Sequence, residues 1–279
     1  MKTDPPFLDG TLPRISIVIP VFNAERYIGE ALSAVAAQDF RDFEVHVVDD
    51  CSSDGSASII KDYCARDARF FYHLTSTNFG GPANPRNLGI SVSIGEYVAF
   101  CDADDIWVPH KLSVQIAVAD RTGAAVVSAL IRDFADGDPV PNFQPPIGEV
   151  AISEISHRRL LIKNWIALSS VMVRRTVLLE TGPFNAAKTH IAVEDFDMWL
   201  RITQRGGRVV RLDVPLVHYR KVSTSISANK STMVQKALKI IGEDYSRRER
   251  KWLFRMIQPL HWLAYVGSAA WHRAVRKEL

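Results

Sequence analysis

ISIVIPVFNAERYIGEALSAVAAQDFRDFEVHVVDD, residues 15–50, is the stretch that decides the fold. ISIVIPV (15–21) is an unbroken apolar, β-branched run, as expected of a strand buried on both faces. AERYIGEALSAVAAQ (24–38) carries apolar residues at helical spacing, and FEVHVVDD (43–50) is a second strand closed by two acids. Downstream, SSDGSASIIKDYCAR (52–66) opens with Ser and Asp cap candidates and continues as a helix. RFFYHL (69–74) is a third strand, a Gly/Pro/Asn loop (75–85) leads into a short helix, and EYVAF (96–100) is a fourth strand. The alternation β-α-β-α-β-α-β predicts an α/β protein with a Rossmann-like, mostly parallel sheet flanked by helices.

Farther out the pattern is less regular. AAVVSALIR (124–132) reads as a strand, DFADGDPVPNFQPPIG (133–148) as a long Pro-rich loop, and SSVMVRR (169–175) as extended. EDFDMWLRITQRG (194–206) is an amphipathic helix opened by acids, RVVRLDVPLVHYR (208–220) is extended, and the chain from Ser231 is helical. The expected organisation is an arm over 1–13, a main domain over 14–227 and a basic helical C-terminal extension over 228–279.

The 279 residues are 47% apolar and 23% charged, the balance of an ordinary globule that buries a core without disulfides. Disordered, collagen-like and disulfide-scaffold chains are excluded. The three cysteines (Cys51, Cys64, Cys101) include no CxxC pair, which suits a reducing compartment. MKTDPPFLDG has no apolar signal core, and Pro259 to Trp271 falls short of the ~20 residues that span a bilayer. A cytoplasmic location, with membrane association left open, is the expectation. The net charge of +3 conceals an asymmetry: residues 246–279 carry 8 Lys/Arg and 2 acids, while the remainder is net negative. Such a body is not expected to bind nucleic acid.

Acids gather where α/β sheets bind ligands, past the carboxyl ends of the strands: Asp49 and Asp50, then Asp102, Asp104 and Asp105. Buried acids are costly unless a cation or donor pairs with them. In an extended segment Asp102 and Asp104 point the same way and could share one hard divalent ion with positions open for phosphate oxygens. The same acids serve equally as a solvated turn capping the next helix. Asp50 could accept the N3–H of a uracil or thymine ring, while Ser52, Ser53 and Asp54 suit helix capping. In NFGGPANPRNLG (78–89), Gly80 and Gly81 permit close backbone approach, and Arg86 and Asn87 place a cation near an anion-favouring helix start. The plain alternative is a loop with a structural arginine. Glu194 and Asp195 open a helix whose dipole favours negative charge, and a carboxylate facing a cleft there could act as general base. They could equally be simple first-turn acids. Trp199 and Leu200 are expected to pack and Asp197 to lie at the surface.

Taken together and in order, PVFNAERYI, VVDDCSSDGS, NFGGPANPRNLG, CDADD-IW and EDFDMWLR resemble the family 2 glycosyltransferases of the GT-A fold, across roughly residues 14–227. The resemblance implies an inverting, metal-dependent enzyme that moves a sugar from a nucleotide-sugar, a UDP-sugar above all, to a hydroxyl of a glycan or lipid-linked acceptor. Polysaccharide or glycoconjugate synthesis is the implied setting and Mn²⁺ or Mg²⁺ the implied cofactor. By that similarity Pro20 and Phe22 lie by the nucleoside with Asn23 and Glu25 nearby. Asp50 binds the base, and Asp102 sits near the ribose or metal. Asp104 ligates the metal, and Arg86 lies near the sugar-phosphate region. Asp195 is the catalytic base, and Glu194 is its neighbour in the acceptor site.

Two departures stand out. Many members carry a histidine after the last strand where this chain has Val222. His218 is expected to be a strand-end residue rather than a ligand, leaving Arg220, Lys221, Ser225 and Ser227 as substitutes. Pro85 stands where alanine is common, and is expected to bias Asn84 away from the helical region. In the basic tail, Pro259 is expected to divide two helices. The tail's aromatic residues either pack on the domain or a second subunit, or lie on an anionic membrane. A nucleotidyltransferase would have a Gly-rich loop after the first strand, and a nicotinamide dehydrogenase a GxGxxG there; neither is present. A catalytically inactive, carbohydrate-binding or scaffolding relative is the competing reading.

Overall fold

The computed structural model describes residues 12–143, 150–222, 230–250 and 252–263. In chain order the elements are β1 (Ile15–Val21), α1 (Ile28–Ala36), β2 (Phe43–Asp49), α2 (Ser56–Arg66), β3 (Phe70–Leu74), α3 (Ala83–Val92), β4 (Tyr97–Phe100), β5 (Ile106–Trp107) and α4 (Lys111–Thr122). There follow β6 (Val126–Ala135), β7 (Ile152–Glu154), α5 (His157–Leu160), β8 (Met172–Arg174), α6 (Arg175–Thr181), α7 (Glu194–Gln204), β9 (Val209–Lys221) and α8 (Lys230–Arg247). A last helix, α9, covers 252–263.

The strands form one sheet in the order β3-β2-β1-β4-β8-β6-β9-β5, with β7 also on β9. The half built from β1 to β4 is parallel, as the alternation predicts. Beyond it the sheet is mixed, because the short β8 runs antiparallel between β4 and β6. Every residue of β1 and β2 is buried, since helices cover both faces. Ile15, Ile17, Ile19 and Val21 pack on one face with α1, α2 and α4, whereas Val18 packs on the other with α3, α7 and α8. On that second face α3 lies directly against the Val18 side chain of β1: a Cβ at Gly89 would fall 2.4 Å from Val18 Cγ1. This close seating fixes the helix turn that carries Arg86.

Several expectations are corrected. β6 continues to Ala135, because Asp133, Phe134 and Ala135 pair with Tyr219, Arg220 and Lys221 of β9; the loop starts later than residue 133. Asn84 and Pro85 are helical, as second and third residues of α3. N–H groups of a first turn have no intrahelical partner, so proline loses nothing there. Pro259 does not divide two helices, for 252–263 is helical throughout. The break comes earlier, where Glu249 is left-handed (φ 56°) and the Arg250 N–H returns to Tyr245 O at 2.8 Å. Contacts of Phe254 and His261 with Tyr245 hold the last helix on both sides of the proline. Ser225 and Ser227 lie outside the described residues. Among the described residues no helix is long and apolar enough to cross a membrane.

Candidate active site

The ends of β2, β1 and β4 lie side by side, with Val21 opposite Asp49 and Val18 opposite Phe100. The loops leaving β1 and β2 are stitched together by side chains. Asn23, left-handed at φ 48°, accepts the Ser53 N–H at 2.8 Å through Oδ1 and donates its own N–H to Ser52 Oγ at 2.9 Å. Glu25 Oε2 accepts the Gly55 N–H at 2.6 Å, and Asp54 accepts the N–H groups of Glu25 and Ser56, both at 3.0 Å. The N-cap of α2 is Gly55, which has no capping side chain; Asp54, one residue earlier, accepts the Ser56 N–H, and Asn23 and Glu25 build the loop wall. Pro20 is buried in β1, while Phe22 stands 53% exposed beside it, a free apolar surface at the strand ends. Asp50 is buried, accepts the Phe79 N–H at 3.0 Å and pairs with the Thr75 hydroxyl at 3.0 Å, so it anchors the 75–79 loop.

Residues 102–104 form a turn and not an extended segment, with the Asp105 N–H closing on Asp102 O at 3.1 Å. The expected i, i+2 geometry of a strand is therefore replaced by a turn, which still brings the carboxylates close. Burial, and after it the charge of Asp102, push the Asp104 carboxyl up to about 6. Asp105 is fully buried; one oxygen accepts the Arg220 N–H at 3.2 Å, and Oδ2 has no hydrogen bond among the described residues. Burial and the neighbouring acids push it well above the carboxylate range. The charge of Asp102 bears on both Asp104 and Asp105, and carboxylate oxygens are the donors that a hard divalent cation takes. Asp104 and Asp102 are thus oxygen donors of the kind that suits Mn²⁺ or Mg²⁺, although Asp102 Oδ1 already accepts from Arg86.

Arg86 joins this turn to α7. Its Nη2 donates to Asp102 Oδ1 at 2.7 Å and its Nη1 to Glu194 Oε1, and the guanidinium is buried. Despite burial, the two carboxylates raise it further above its usual value. Glu194 is buried and opens α7. Ala192, two residues earlier, is left-handed (φ 70°), a strained conformation for alanine that turns the chain into the helix. Asp195, half-buried, accepts the Phe196 N–H at 2.7 Å and the Asn164 side-chain N–H at 3.1 Å. Burial, then the repulsion of Glu194, push its carboxyl up to about 7, against the pull of the Phe196 N–H, Arg86 and Asn164. A group titrating there is matched to proton transfer near neutrality. Asp197, expected at the surface, is buried instead: Arg201 Nε and Arg247 Nη1 donate to it at 2.8 and 2.9 Å, fastening α7 to α8. Trp199 and Leu200 pack in the core. His190, Asp197 and Glu243 hold ligand-type atoms within 4.8 Å of one another. Both Asp197 oxygens are engaged by arginines, however, and His190 Nε2 meets Glu243 at 2.9 Å, so the cluster belongs to the same α7–α8 junction.

At the end of β9, Arg220 is buried; its Nε donates to Asp104 O at 3.1 Å, its Nη2 bonds Glu30, and it stacks near Tyr27 and Phe134. Asp136 accepts from the Tyr27 hydroxyl at 3.0 Å and faces Arg26 at 3.1 Å. Arg220 is therefore the residue of β9 that braces the acidic turn. His218 is buried in β9 opposite Ile106, and burial together with the Arg132 charge lowers its pKa. Sequence reasoning missed Asn164, Ser169 (whose Oγ accepts the Asp102 N–H at 3.0 Å) and Asp136. Each lies alone in a stretch without a motif and reaches the site only through the fold.

The sequence profile described as "Glycosyl transferase family 2" matches residues 16–178. Over 275 residues the chain is 28% identical to the "Putative teichuronic acid biosynthesis glycosyltransferase TuaG" of Bacillus subtilis (strain 168), covering 96% of this chain and 98% of that protein. Over 230 residues it is 28% identical to the "UDP-Glc:alpha-D-GlcNAc-diphosphoundecaprenol beta-1,3-glucosyltransferase WfgD" of Escherichia coli, covering 82% and 85%. Among solved structures it is similar to S. aureus TarS 1-349 in complex with UDP-GlcNAc, with a TM-score of 0.66 and 26% identity over 83% of this chain and 66% of that one.

Proposed function

Since the chain belongs to glycosyl transferase family 2, we propose that it moves a sugar from a UDP-sugar to an acceptor hydroxyl with inversion at the anomeric carbon. The observation that carries this reading is the Arg86 bridge, which ties the acidic turn at Asp102 to the helix that presents Asp195. In this account the nucleoside lies along Pro20, Phe22, Asn23 and Glu25, with the remaining lone pair of Asp50 taking the ring N–H. Asp104 and Asp102 would hold a divalent ion, which would supply positive charge to offset the charge on the departing diphosphate. Arg86 and Arg220 hold the turn in place. Asp195 accepts the proton of the acceptor hydroxyl, whose oxygen attacks opposite the leaving group, so that one displacement suffices. Asn164 and the Phe196 N–H keep the carboxylate aimed. The catalytic unit spans 14–227, with 228–279 as an extension. The acceptor is a glycan or a lipid-linked sugar of the diphosphoundecaprenol kind that the name of WfgD specifies, met in the cytoplasm at the membrane.

Testing uses a panel of UDP-sugars with Mn²⁺. One of them raises the melting temperature, because a ligand of the native state alone stabilises it, and releases UDP when an acceptor is supplied. A chain that binds glycans yet neither binds nor turns over any UDP-sugar would be an inactive relative. The pH profile has a definite sign. Asp195 must be deprotonated to act, and its carboxyl sits at about 7. At saturating metal kcat/KM therefore falls about tenfold per pH unit below that value, instead of below the ordinary carboxylate range near 4. An acid limb that remains near 4 in a pH–rate series would show that the base is not a carboxyl raised to about 7.

A further inference from the structure

Helix α9 is apolar on two faces, and the described residues cover only one. Leu253, Phe254 and Ile257 pack on the second core, and Phe254 lies over Tyr245 of α8 with ring centroids 5.6 Å apart. On the opposite face Trp252, Met256 and Leu260 follow at i, i+4 and i+8, with Leu263 on the same side. These four are 59–71% exposed, and Trp262 is 49% exposed on the flank. Such a stripe of large side chains, with one tryptophan in it and another on its flank and no partner among the described residues, needs an occupant.

The charge pattern selects it. Between Glu249 and Glu278 the sequence has no acid, while Arg250, Lys251, Arg255, Arg273, Arg276 and Lys277 are basic. A second copy of this chain docking through the same face in a two-fold dimer would set Arg255 and its neighbours against like charges. An anionic lipid surface instead meets the cations with opposite charge and takes the apolar stripe into its headgroup boundary, where tryptophan is favoured. We propose that the Trp252–Met256–Leu260–Leu263 face of α9 is a membrane-docking surface for anionic lipids. Phe254 on Tyr245, and Arg247 on Asp197, link α9 through α8 to the helix that begins at Glu194. The inference rests on the helix face and its charge, not on the transferase reading, and its test contains no nucleotide or acceptor.

The full 279-residue chain is sedimented with sucrose-loaded vesicles of phosphatidylcholine, with or without phosphatidylglycerol. The comparison variant carries Trp252→Ser, Met256→Ser and Leu260→Ser; these side chains are exposed, so its melting temperature should match the parent's. Expected are at least tenfold stronger partitioning to the phosphatidylglycerol vesicles, weakening with salt, and at least a tenfold loss in the variant. A blue shift of the parent's tryptophan emission on binding supports insertion. Equal partitioning of parent and variant overturns the proposal. So does a parent that ignores vesicles but sediments as a dimer that the variant abolishes, since a second copy would then occupy the face. Should the 264–279 segment cover the stripe, the parent would also ignore vesicles, and that result likewise overturns it.

Discussion

Replacing Asp195 by asparagine is expected to lower kcat by about 10³-fold, roughly 4 kcal/mol of barrier, while UDP-sugar and Mn²⁺ binding stay within a factor of about three. The amide keeps the size of the carboxylate, and its oxygen can still accept the Phe196 N–H that Asp195 accepts at 2.7 Å. It has no basic oxygen for the acceptor proton. Neither partner of Asp195, Phe196 nor Asn164, belongs to the acidic turn, so the donor side should be undisturbed. The Asn164 side-chain N–H, which Asp195 accepts at 3.1 Å, loses that acceptor, and the loss is set against a gain from removing the carboxyl. The folded-state pKa of Asp195 is raised, to about 7, so the ionised form costs stability as pH rises through and beyond the ordinary carboxylate range. A neutral amide removes that cost, and above pH 7 the variant should melt no lower than the parent. Single-turnover transfer within tenfold of the parent, or loss of donor binding in calorimetry, would make Asp195 something other than the base.

Arg86→Met has the other large effect, and it acts on stability as well as turnover. The guanidinium is 5% exposed and faces Glu194, which is 4% exposed, so its removal strands a buried carboxylate. Breaking one partner of a buried pair costs about 3–5 kcal/mol, readable as a lower midpoint in urea at unchanged slope. Asp102 loses the donor that holds Oδ1, so Mn²⁺-dependent UDP binding should weaken too. Arg86→Lys should not restore function, because a single ammonium cannot hold both carboxylates in the forked geometry. Adding Glu194→Gln to Arg86→Met should recover much of the stability but not the activity. Full activity of Arg86→Lys would reduce Arg86 to a counter-charge.

Much of this architecture is legible in the chain itself. ISIVIPV and FEVHVVD are strands whose continuous burial follows from helices on both faces, and the acids past them fall on the ligand-binding edge. The family resemblance is borne out by the profile match and the TarS likeness. What the pattern leaves hidden is long-range. Nothing in NFGGPANPRNLG announces that Arg86 reaches Glu194, 108 residues away, since that pairing is made by the seating of α3 on β1 at Gly89. Asn164 has no periodicity to betray it and meets Asp195 only after folding. Asp197 reads as exposed because two charged residues flank Phe196, yet α8 supplies Arg247 to cover it. Local rules also yield to context at proline: Pro85 is harmless in a first turn, and Pro259 is held inside α9 by aromatic contacts.

The account rests on one divalent ion at the turn that follows β4. Crystals of the full chain soaked with Mn²⁺ and UDP, with diffraction recorded at the manganese absorption edge, locate that ion directly. The expected result is a single anomalous peak in contact with Asp104, shared with Asp102 and the UDP diphosphate. A peak at His190, Asp197 and Glu243 instead, or UDP bound with no manganese beside Asp104, would contradict it.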